Sequence, residues 1–140
     1  MKKQLYRILA LTILILTVGD ANAQMDSVVS VCEQYMSSAY VSDGQQYMAL
    51  VSDDQTAEFD ILFYGNNTYR VVACSGVENG LVFTMYDKDR NVLFSSDDYK
   101  NTPYWDFKFE HTTKCYIEAK LVAEQKSGFA ILLIGFKNKN

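Results

Sequence analysis

The sequence predicts a mainly β protein, an antiparallel β-sandwich or jelly roll of about seven or eight strands with one short N-terminal helix. Three observations carry this expectation. From residue 46 onward apolar and polar residues alternate at period two, as strands half-buried against a core require. Turn-forming clusters punctuate that alternation at short intervals, and no helical pattern separates the strands, which argues against a parallel βαβ sheet. The chain has 140 residues, 49% hydrophobic and 14% aromatic, enough for one core, while 7 Gly and 1 Pro exclude collagen-like or linker character.

Residues 1–23 read as a cleaved secretory signal. Lys2 and Lys3 make a positive start, Leu5 to Val18 is an apolar run too short to span a bilayer, and Ala21-Asn22-Ala23 is a small-x-small cleavage site. The mature chain, 24–140, is then one domain, secreted or periplasmic, with no membrane insertion after cleavage. Losing Lys2, Lys3, Arg7 and Asp20 moves the net charge from −4 to −6, an acidic balance that disfavours nucleic acid.

Within that domain a helix is expected over about 26–40, with Asp26 or Ser27 as its cap and Val28, Val31, Cys32, Tyr35 and Ala39 at helical spacing. Ser42-Asp43-Gly44 reads as a turn, and strands should fill the span from about 46 to 136. Gln46–Val51 is followed by Phe59, Ile61 and Phe63 alternating with Asp60, Leu62 and Tyr64. Tyr69, Val71 and Ala73 alternate with Arg70, Val72 and Cys74. Leu81–Tyr86 and Val92–Phe94 flank Asp87-Lys88-Asp89-Arg90-Asn91. Ser95–Pro103 is the longest polar loop, and Trp105, Phe107 and Phe109 precede Cys115, Ile117, Ala119 and Leu121. The nearly continuous apolar run Phe129–Phe136 suits a central strand buried on both faces, and Lys137–Asn140 reads as a tail.

From about Ala57 onward these residues are similar to the pre-peptidase C-terminal domain. The likeness rests on Phe59-x-Ile61-x-Phe63, Tyr69-x-Val71, Leu81-x-Phe83-x-Met85-Tyr86-Asp87 and Asp89-x-Asn91-x-Leu93-x-x-Ser96. It continues through Trp105-x-Phe107-x-Phe109, Lys114-Cys115-Tyr116-Ile117 and Gly128-Phe129-Ala130-x-Leu132. The resemblance implies a small secreted jelly roll, an accessory to secreted enzymes that in some members binds calcium or matrix substrates. This sequence departs from the family in the helix expected before the sheet and in Arg90-Asn91, which stands where the family commonly has a turn glycine.

The chemistry-bearing residues are few. His111 is the sole histidine, and no G-x-S-x-G, H-E-x-x-H or phosphate-cradling glycine loop occurs. Cys115 falls among the core-facing residues, where a thiol is inert. The sequence therefore reads as non-catalytic, with no cofactor unless calcium binds. Asp87, Asp89 and Asn91 offer oxygens at alternate positions, as a calcium loop does, and Asp53, Asp54, Asp97 and Asp98 would complete the shell if the fold brought them near. Tyr99 and Tyr104 are the aromatic candidates for stacking on a sugar ring. Cys32, Cys74 and Cys115 allow one disulfide with three pairings open. The expected function is a binding or accessory protein for a protein or polysaccharide partner, with calcium or carbohydrate binding, or a purely structural envelope role, as alternatives.

Overall fold

In the computed structural model, which describes residues 20–137, one helix precedes eight strands. Helix α1 spans Asp20–Glu33. The strands are β1 Tyr40–Ser52, β2 Thr56–Phe63, β3 Asn67–Cys74, β4 Leu81–Asp87, β5 Val92–Ser95, β6 Tyr104–Phe109, β7 Thr113–Leu121 and β8 Ser127–Lys137, with a single 3-10 turn at Ser96–Tyr99. Of the expected signal sequence, residues 1–19 lie outside the described residues, as do 138–140 of the expected tail.

Two four-stranded antiparallel sheets form, in the orders β1-β8-β3-β6 and β2-β7-β4-β5. Four of the pairings, β1 with β8, β2 with β7, β3 with β6 and β4 with β5, are those of one long hairpin. Rolling that hairpin over itself adds the β3–β8 and β4–β7 pairings and closes the sandwich. This is the jelly-roll arrangement.

The alternation in each strand explains the packing. Phe63, Val71, Phe83, Met85, Cys115, Ile117 and Leu132 point into the main core between the sheets, all nearly or fully buried. On β3 and β8 the intervening residues are apolar as well. Val72, Cys74, Ile131 and Leu133 face the opposite way and are covered by Val29 and Cys32 of α1, so β8 is buried on both faces as its apolar run requires. Cys32 and Cys74 form the disulfide that fastens α1 to the sheet, with their Cα atoms 5.9 Å apart, and Cys115 is free and buried.

Two local expectations need correction. The helix expected over 26–40 runs instead from Asp20 to Glu33, so Asp26 and Ser27 lie inside it rather than capping it. The chain then tightens through Tyr35 N–H to Cys32 C=O at 3.1 Å and Met36 N–H to Glu33 C=O at 3.0 Å, and Arg70 captures the Tyr35 carbonyl at 3.1 Å. Tertiary anchoring overrides the helical spacing of Tyr35 and Ala39. Ser42-Asp43-Gly44 is not a turn between elements. The first strand begins at Tyr40 rather than Gln46, and these residues form a bulge where β8 advances from Gly135 to Leu133 while β1 advances from Ser42 to Gln46. Gly44 takes φ +79° there, and the Ser42 and Asp43 side chains accept the Gly44 and Gln45 N–H groups. Those bonds replace the missing ladder contacts.

Candidate functional site

The residues with catalytic chemistry are dispersed. His111 is exposed at the β6–β7 turn, where its carbonyl accepts the Thr113 hydroxyl at 2.8 Å. Cys115 is fully buried, and burial pushes its thiol up to about 11. A thiol held protonated in an apolar core supplies no nucleophile.

Asp87, Asp89 and Asn91 meet at the β4–β5 turn, but Asp87 is occupied by the turn itself. One carboxylate oxygen accepts the N–H groups of Asp89 at 2.8 Å and Asn91 at 2.9 Å, and the other accepts the Asn91 side-chain amide at 2.9 Å. These bonds, with the Asn91 side chain first, hold the Asp87 carboxyl below its ordinary range. Arg90 adopts φ +66°, the backbone state for which the resemblance leads one to expect glycine. Asp53, Asp54 and Asp97 gather instead around a depression beside Val82, at the far end of β4, in company with Lys120 and Lys126. Among the described residues no group of three His, Cys, Asp or Glu side chains is arranged to hold a metal ion.

The two tyrosines belong to separate clusters. Tyr99, on the 3-10 turn, lies 4.4 Å from Trp105 and stacks on Phe94 at 5.4 Å between centroids, covering the end of the aromatic core. Tyr104 faces the other side of its sheet, where the Arg70 guanidinium lies 4.3 Å from its ring and 4.7 Å from that of Tyr40. Arg70 also donates to both carboxylate oxygens of Asp106, at 2.7 and 2.8 Å. That bidentate pair holds the Asp106 carboxyl below its usual range, and the whole group locks the segment after α1 onto β3 and β6.

A surface that the sequence did not single out lies where the edge strands β1 and β2 face each other across the open side of the sandwich. A depression of about 420 Å³ is lined there by Asp43 and Tyr47 of β1, Leu62 of β2, Tyr64 just beyond it, and Phe136 of β8. Tyr64 is 62% exposed, Leu62 51% and Phe136 40%, and Val41, paired with Phe136 across the ladder, is also exposed. The Tyr69 hydroxyl accepts the Tyr64 N–H at 3.0 Å and so fixes the chain at its floor. Beside it, Tyr47 meets Phe59 edge-on at 6.0 Å, closing the core behind the depression. The legible signal is Leu62, on the outward phase of β2, and Tyr64, just past its end, which are large apolar or aromatic residues where the pattern calls for polar ones.

No known protein family matches the chain, and no curated protein does. Among solved structures it is similar to PliG of Aeromonas hydrophila, described as a periplasmic lysozyme inhibitor of g-type lysozyme. The TM-score is 0.53 at 11% identity, covering 72% of this chain and 90% of that one. What is shared is the fold. No helix of the described residues is long and apolar enough to cross a membrane.

Proposed function

We propose that this protein is an extracytoplasmic, non-catalytic binding protein whose partner is another protein, with lysozyme as the partner class to test first. The observation that carries the reading is the apolar and aromatic surface left exposed along the β1–β2 edge, where Leu62, Tyr64 and Phe136 stand together. Rings and aliphatic side chains grouped on one concave patch are the usual core of a protein interface. The Cys32–Cys74 bridge supports an oxidising compartment, in keeping with the signal-like first 23 residues. The jelly roll shared with a periplasmic lysozyme inhibitor supports the partner class. An accessory role toward a secreted enzyme, as the resemblance to pre-peptidase C-terminal domains implies, falls within the same reading.

The test is a titration of purified protein into a peptidoglycan-lysis assay run by a g-type lysozyme, with complex formation followed by size-exclusion chromatography. A stoichiometric complex that slows lysis and is weakened in Tyr64→Ser supports the reading. Unchanged lysis with no co-elution removes lysozyme as the partner.

A further inference from the structure

We propose that the depression between β1 and β2 receives a lysine or arginine side chain presented by the protein partner, with Asp43 as its counter-ion and Tyr47, Tyr64 and Phe136 as its walls. This rests on the protein-binding reading above and specifies what that surface recognises.

The bulge in β1 turns Asp43 toward the depression. Its carboxylate accepts one hydrogen bond, from the Gln45 N–H at 2.9 Å, and among the described residues no cation pairs with it. Asp60, the other acid of the lining, already holds Lys114 at 3.2 Å, and no basic residue lines the depression. One negative charge is therefore left without a partner against aromatic walls. Partial desolvation raises the Asp43 carboxyl above its ordinary range although the residue is exposed at the rim, and burial first, then the Asp43 charge, raises the neighbouring Tyr47 hydroxyl. An exposed carboxylate with no counter-ion, at the rim of an aromatic depression, gains when a cation arrives.

The chain shows elsewhere what such a site looks like when filled. Arg70 lies between the rings of Tyr40 and Tyr104 and is held by the Asp106 carboxylate. The edge depression offers the same parts, rings and one carboxylate, without the cation. Guanidinium and ammonium groups favour such faces, and an acidic protein steers a basic partner toward it. The other two large depressions offer less. The acidic one at the far end of β4 carries its own lysines. The one between α1 and β8, lined by Val28, Leu50, Val77 and Phe129, carries no charge to name its occupant.

The experiment is a titration of isotope-labelled protein, followed through its backbone amide resonances, with N-acetyl-arginine methylamide and with the norleucine analogue as the uncharged control. The arginine probe is expected to shift residues 43–47, 62–64 and 136, with affinity about threefold weaker in Asp43→Asn, whose side-chain carbonyl still accepts the Gln45 N–H. Tyr64→Ser should weaken it as well. Equal shifts from the norleucine probe, shifts centred on Asp53 and Asp97, or an unchanged affinity in Asp43→Asn would overturn the assignment. The two readings fail separately. Lysozyme binding that survives Asp43→Asn removes the basic-residue site and leaves the partner class standing, whereas arginine binding without lysozyme binding does the reverse.

Discussion

Replacing both Cys32 and Cys74 by alanine opens a covalent loop of 42 residues. Chain-entropy reasoning assigns closure of a loop that long about 4 kcal/mol at 25 °C, which for a domain of this size corresponds to a fall in Tm of roughly 12–20 °C. Alanine is the right replacement because both sulfurs are buried, Cys32 fully and Cys74 to 6% exposure, and serine would strand a hydroxyl. The loss should not be spread evenly. Helix α1 has only the small cluster around Val29, Val72, Ile131 and Leu133 to hold it once the bridge is gone, so its amides should exchange with solvent well before those of β3 and β8. Urea unfolding followed by the fluorescence of Trp105, the single tryptophan, measures the first effect, and hydrogen exchange measures the second. A stability loss under about 1 kcal/mol, with α1 still protected, would refute the reasoning, because the cross-link would then constrain a loop already closed without it.

Phe63→Ala should cost about 3–5 kcal/mol in urea unfolding, since the ring is fully buried and stacks on Phe109 at 4.6 Å. Gly65→Ala should cost about 1–3 kcal/mol, because its Cβ would meet the Glu110 carbonyl oxygen at 2.8 Å and the His111 backbone at 2.9 Å. The Asp106 carboxyl is depressed in the folded state, first by Arg70. Its contribution to stability is thus present above the ordinary carboxylate range, ~3.9, and lost as pH falls through the folded value. Arg70→Met should flatten that part of an acid titration of stability. Cys115, with its thiol raised to about 11, should be unreactive toward a disulfide reagent at pH 8 in the native protein and react fully in denaturant.

The strand periodicity was readable because each burial environment writes its own pattern. Phe129–Phe136 reads as a strand covered on both faces, and the sheet-plus-helix sandwiching of β8 is the reason. Asp43 and Gly44 look like a turn in the sequence because a bulge uses the same chemistry, namely left-handed glycine and side-chain acceptors. Only the β8 register tells the two apart. The Asp87–Asn91 spacing fits a calcium loop and a self-capped turn equally, and the hydrogen bonds to Asp87 show which partners it has here. Cysteine spacing carried no preference among three pairings, since what joins Cys32 to Cys74 is the docking of α1. The edge depression was hidden for a different reason. Asp43, Tyr64 and Phe136 come from distant parts of the chain, and only Leu62 and Tyr64 break the local pattern.

The rolled hairpin also sets the order in which this protein can come into being. β8 lies between β1 and β3, so the first strand has no ladder until the last one has been synthesised. Every early strand except the β4–β5 hairpin waits for a distant partner, a topology that folds slowly. The sheet that holds β1 therefore closes only when Ser127–Lys137 is available, since β8 carries the ladders to both β1 and β3, whereas the sheet β2-β7-β4-β5 is complete without it.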